Sequence, residues 1–163
     1  MTTTRFLMAA ALAVSAFTAP AAFAQQKLVP AQSEINFSIK QMGVSVDGKF
    51  KKFDAQIAFD PAKLATSSIA FTVDTGSATM GSPESDSELP KATWFNVPKF
   101  PQATFQSTSI KALGGGKFDV SGKLSIKGAS RDITVPVAMT QAGGATTATG
   151  TFALKRLAYK IGE

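Results

Sequence analysis

Phe118-Asp119-Val120-Ser121-Gly122-Lys123-Leu124-Ser125-Ile126-Lys127 puts Phe118, Val120, Leu124 and Ile126 on one parity and Asp119, Lys123 and Lys127 on the other. A period of two is what a strand with one face in a core and one in water demands. Working outward, the same rhythm recurs in Ile35-Asn36-Phe37-Ser38-Ile39-Lys40, in Phe53, Ala55, Ile57 and Phe59, and over residues 69–74. It returns at Phe105, Ser107 and Ser109, at Ile133-Thr134-Val135-Pro136-Val137 and over residues 149–156. Phe50 falls off parity and predicts a bulge or bend near Lys51. Pro136 cannot donate to a ladder, so it marks an irregular edge or a position facing away from a partner. The segment 43–48 carries turn residues at both ends, and Gly114-Gly115-Gly116 and Gly143-Gly144 read as turns. Seven strands with no helical stretch of ten or more residues predict an all-β antiparallel up-and-down meander, closed as a barrel or folded as a sandwich.

One excursion interrupts the strands. In residues 76–90, Ser82 can cap a helix, Pro83 suits its first position and Glu84 favours the positive dipole end. The alternation of Glu84, Asp86 and Glu88 also raises a calcium loop, but the spacing and glycine of such a loop are missing, and a capped short helix is the better reading. Next comes an aromatic wedge, Trp94-Phe95-Asn96-Val97-Pro98-Lys99-Phe100-Pro101, in which two prolines forbid a helix and push Val97 and Phe100 towards extended geometry. It predicts a stiff loop feeding a strand that begins near Ala103, and a loop so aromatic must cover something apolar.

Arg5, the apolar run 6–17 and Ala22-Phe23-Ala24 form the charged, hydrophobic and cleavage regions of a secretory signal peptide, predicting a leader over 1–24 and one domain over 25–163. The run is short for a membrane span. With no cysteine, stability must come from packing rather than disulfides. The net charge is +6 and the pI about 9.7, with lysines scattered one per strand as solubilising charge, so nucleic acid is not an expected partner. Without histidine or cysteine, the usual general base, the thiolate nucleophile and most zinc sites are excluded. A Ser125–Lys123 or Ser125–Lys127 pair would need its lysine in an apolar pocket, whereas both lysines fall on the wet parity. The chain therefore reads as a non-enzyme with no cofactor and no metal.

Several segments together resemble the YceI-like family: Lys49-Phe50-x-x-Phe53, Phe59-Asp60, Trp94-Phe95-Asn96-Val97, Phe100-Pro101-x-Ala103-Thr104-Phe105-x-Ser107-Thr108, residues 120–128 and Phe152-x-Leu154-x-Arg156. The resemblance covers nearly all of residues 25–163 in order. It implies a lipocalin-like antiparallel barrel in the periplasm of a Gram-negative cell, holding a polyisoprenoid such as a prenyl diphosphate or an isoprenoid quinone in an elongated apolar pore. Ten of the thirteen phenylalanines lie beyond the expected leader, against one tyrosine, and suit such a pore, since a linear isoprenoid offers almost only apolar surface. On this reading the lining is Phe37, Ile39, Phe53, Ile57, Phe59, Phe71, Val73, Trp94, Phe95, Phe105, Phe118, Val120, Leu124, Ile126, Val135, Phe152 and Leu154. Arg156, which matches the family motif, and Arg131, with Lys155 beside them, are the head-group candidates. Trp94 and Phe95 would be the lid of the pore or the plug of a closed core.

Two departures matter. The family often has a histidine where Gln41-Met42-Gly43 stands, and members usually continue past residues 156–163 into a further strand. The resemblance thus predicts a missing closing strand and an open seam beside strand 35–40, left by truncation or closed by another chain. The competing function is an exported stress or scaffold protein that binds proteins through its surface or open edge. Either reading leaves room for transient contact with a membrane surface or membrane redox proteins, and for a dimer.

Overall fold

The alternating runs fold as strands in two antiparallel sheets. The computed structural model describes residues 25–163, and the leader expected over 1–24 lies outside them. The strands are β1 (Gln26–Lys27), β2 (Ile35–Gln41), β3 (Val44–Phe50), β4 (Phe53–Ala58), β5 (Ser68–Asp74), β6 (Ala78–Thr79), β7 (Gln102–Gly114), β8 (Lys117–Ile126), β9 (Ala129–Ala142) and β10 (Ala145–Gly150). A curled seven-stranded sheet runs β1-β4-β5-β7-β8-β9-β10, and a smaller sheet runs β2-β3-β6. The fold class is the all-β antiparallel one that the periodicity predicts, with one α-helix among the described residues, α1 (Pro83–Glu88).

Two local expectations are corrected. The segment 43–48 is not merely a pair of turns: β3 pairs with β2 along its whole length, from Ile35–Phe50 to Gln41–Val44. The two-residue turn between them, Met42 (φ 51°) and Gly43 (φ 84°), holds both residues in the left-handed region that a tight hairpin requires. The strand expected over 149–156 lies earlier, because pairing with β9 spans only Ala145–Ala142 to Gly150–Val137. Residues 151–155 are unpaired and Arg156–Tyr159 is a 3-10 turn. The Ala-Thr run of β10 is exposed on both faces, so no alternation marks it. Pro136 sits one residue beyond the last β9–β10 pair, where its missing N–H interrupts nothing.

Chain direction changes at Lys51-Lys52, where β3 leaves the small sheet and β4 enters the large one. The bend is pinned by polar bonds: Lys51 N–H donates to the Ser77 carbonyl (3.1 Å) and Lys52 N–H to Ser77 Oγ (2.9 Å). Only two residue pairs join β3 to β6, Lys49–Thr79 and Phe50–Ala78.

The excursion is a capped helix. Ser82 Oγ accepts from Ser85 N–H (3.3 Å), with Pro83 in the first turn. Asp86 ties the helix back to β6, accepting from Thr79 Oγ1 (2.6 Å) and from Met80 N–H (2.7 Å). Those bonds, the Thr79 hydroxyl foremost, hold the Asp86 carboxyl below the usual carboxylate range. Because the folded-state pKa is depressed, this carboxylate stabilises the fold above about pH 4 and loses that contribution as pH falls. Asp86→Asn should therefore lower the urea midpoint near about pH 7, and its difference from wild type should shrink towards about pH 3.

Candidate functional site

The register of the large sheet lines up one face. Ala55, Phe71, Phe105, Leu124 and Arg131 are successive cross-strand partners, so a single row passes from apolar groups to a cation across five strands. Beside it, Ile57 pairs with Ile69, Ile110 with Val120 and Val120 with Val135. The strand β7 keeps Phe105 and Ile110 on this face only because the register shifts between Ser107 and Ser109, which inverts the parity predicted for Ser109.

The face divides into two apolar clusters. Leu89, Phe95, Leu124, Tyr159 and Ile161 centre the first, against which Phe37, Phe50, Trp94, Ile126 and Leu154 pack. Ile69, Ile110, Phe118 and Val120 centre the second, with Ile57, Phe59 and Phe71 around them. Phe105 belongs to both and joins them into one surface. Rings are linked edge to face, Phe50 with Phe95 at 5.6 Å and Phe59 with Phe118 at 5.2 Å, and Phe37 tilts onto Phe50 at 5.2 Å.

Much of this surface is only half-buried, including Phe37, Phe53, Phe71, Phe105 and Val135. Phe53 pairs with Val73, and Ile39 with Val46 on the small sheet, all partly exposed. A cavity of about 320 Å³ opens along β4, β5 and β7, with Phe71 and Phe105 in its lining beside Asp54, Gln56, Thr72, Thr104 and Gln106. Phe152 stands apart: it is 43% exposed in the unpaired segment after β10 and packs against neither cluster.

The wedge packs onto the first cluster through Trp94, Phe95 and Val97. Its backbone folds back through Trp94 N–H to Lys91 O, Phe95 N–H to Leu89 O and Phe100 N–H to Asn96 O, and β7 begins at Gln102. Phe95 is buried, which makes it the plug of the first cluster, while Trp94 is half-buried. The two arginines differ. Arg156 Nη1 donates to the carbonyls of Ile161 and Gly162, both at 2.9 Å, so part of its fork is spent closing the chain's last turn. Among the described residues Arg131 donates only its Nε, to Ala158 O at 3.0 Å, and its guanidinium lies 5.9 Å from the Tyr159 ring centroid.

Phe50, whose broken parity predicts a bend near Lys51, stands at the bend between the two sheets and packs against the first cluster. Two residues of this surface carry no strand signal in the sequence. Tyr159 and Ile161 lie in a segment with no strand pattern, and the sole tyrosine of the chain was their only signal.

The YceI-like domain model matches residues 26–163. The chain belongs to the YceI-like family. Among solved structures, Burkholderia cenocepacia BcnA superimposes with a TM-score of 0.79 at 41% identity, covering 83% of this chain and 85% of that one. A UPF0312 protein of Vibrio cholerae is 34% identical over 114 residues, which are 69% of this chain and 60% of the relative. The chain thus spans about 60% of the length of such a relative. A polyisoprenoid binding domain from Saccharophagus degradans shares the fold at a TM-score of 0.61 and 15% identity, over 77% of this chain and 74% of that one.

Proposed function

We propose that this YceI-like chain is a non-catalytic carrier of a long prenyl lipid, an isoprenoid quinone or a prenyl diphosphate, working in the periplasm after export. The observation that carries the reading is the continuous apolar face joined at Phe105, much of it half-buried. A face meant only as a core would be covered. Laying a chain of isoprene units along it removes apolar area from water at about 25 cal/mol per Å², so about 400 Å² would supply about 10 kcal/mol before ordering costs. The shared fold with a domain named for polyisoprenoid binding supports the ligand class, and the leader pattern over 1–24 supports export. For the head group, Arg131 is the better placed cation, at the end of the apolar row and with its terminal nitrogens making no hydrogen bond among the described residues.

Native mass spectrometry of the protein purified from its host, followed by organic extraction, tests this directly. A bound mass that extracts as a lipid of several isoprene units is the expected result. Protein that is uniformly empty, and that takes up no added prenyl lipid, overturns it.

A further inference from the structure

Tyr159 is 2% exposed, and its hydroxyl is buried with no hydrogen-bond partner among the described residues. A buried hydroxyl left unbonded costs about 1–3 kcal/mol, and phenylalanine would fill the same space without that cost. The position is not slack. The 3-10 turn that carries Tyr159 is tied to β9 through Arg131 Nε to Ala158 O, and Lys127 Nζ donates to Lys160 O. Gly162 N–H donates to Thr93 O (2.6 Å), which ties the turn to the aromatic wedge. The phenol is therefore held in one place, among Leu89, Phe95 and Leu124, in the cluster that Phe37, Phe50 and Phe105 carry out to the half-buried face.

We infer that the Tyr159 hydroxyl, with the Arg131 guanidinium against its ring, is the polar hook that reads an acceptor oxygen on the head of the prenyl ligand. The inference rests on the carrier reading and adds to it which atoms select the head. Burial pushes the Tyr159 hydroxyl above its ordinary pKa although Arg131 opposes the shift, so it stays protonated and donates at neutral pH. Donation suits a quinone carbonyl or a phosphate oxygen alike. Arg131 separates the two, since a free guanidinium fork adds much to an anionic phosphate and little to a neutral carbonyl.

The test uses the intrinsic fluorescence of Trp94, the only tryptophan, which packs against the same cluster. Three probes are titrated into wild type, Tyr159→Phe and Arg131→Gln: a short-chain prenyl quinone, a prenyl monophosphate and squalene, a prenyl hydrocarbon with no head. Wild type should bind at least one oxygen-headed probe about tenfold more tightly than squalene, and Tyr159→Phe should lose that preference while binding squalene as before. The same variant should melt no lower than wild type, because it removes an unpaired hydroxyl. Loss of the preference for the phosphate alone in Arg131→Gln assigns a phosphate head, and an undiminished preference there assigns a quinone. A Tyr159→Phe protein that keeps the full head preference overturns the hook while leaving the carrier standing. Wild type that binds none of the three probes overturns both.

Discussion

Phe105→Asp should abolish lipid retention and unfold the protein or bring it close to unfolding. The ring it removes is shared by both apolar clusters and lies in the row between Phe71 and Leu124. Truncating a packed phenylalanine costs about 3–5 kcal/mol, and placing a carboxylate on an apolar face adds a desolvation penalty. That sum is comparable with the whole stability of an ordinary domain. Lys123→Glu is the matched control on the neighbouring strand, where Lys123 pairs with Gln106 beside Phe105. Lys123 lies on the opposite face, where its Nζ is 3.0 Å from Asp132 Oδ1 in a pair that is more than half exposed, so reversing its charge should cost about 1 kcal/mol or less. Urea unfolding and lipid extraction of the two variants check the pair. Retention lost in the lysine variant but kept in the phenylalanine variant would reverse the assignment of faces.

Gly122→Val should destabilise by about 3 kcal/mol or more, at or above the top of the usual cost of overpacking. A Cβ added at Gly122 would overlap the Gln106 carbonyl oxygen and come within 2.6 Å of Phe105 Cζ. The first obstacle is backbone on the neighbouring strand and cannot swing away; the second is the ring that joins the clusters. The glycine is thus the space in which Phe105 lies. The small sheet repeats the device, where a Cβ at Gly48 would come within 2.6 Å of Phe37 Cε2 and 2.7 Å of Thr79 O. Thermal unfolding of Gly122→Val beside Lys123→Glu would show whether the loss belongs to the glycine or to the strand; equal melting points for wild type and Gly122→Val would refute the close packing.

The strands whose residues alternate were legible because one wet and one dry face leave a period of two, and β8 is the clearest case. What escaped was set by contacts distant in sequence. The parity of β7 flips at a bulge opposite Gly122 and Ser121, which nothing in Ser107-Thr108-Ser109 announces. β10 is exposed throughout, so burial imposed no pattern on its alanines and threonines. Phe152 and Leu154 share a parity, yet without a partner strand parity does not decide burial, and only Leu154 packs against the core. Among the cations, the family motif favours Arg156 over Arg131. Only the folded backbone shows that the last turn occupies Arg156 Nη1 and places Arg131 beside a buried phenol.

The slender seam between the sheets gives the molecule an uneven grip on itself. β7, β8 and β9 each form long ladders with both neighbours, whereas the β2–β3 hairpin is stitched to the rest by the two pairs with β6, the bonds at the Lys51 bend and the rings of Phe37 and Phe50. Parting that hairpin breaks few bonds and uncovers few rings, so its free energy of opening lies well below that of dismantling the meander. The same motion would bare Phe95 and the cluster around Tyr159. The hairpin is thus the part of the described fold expected to open first, with the seven-stranded sheet standing still behind it.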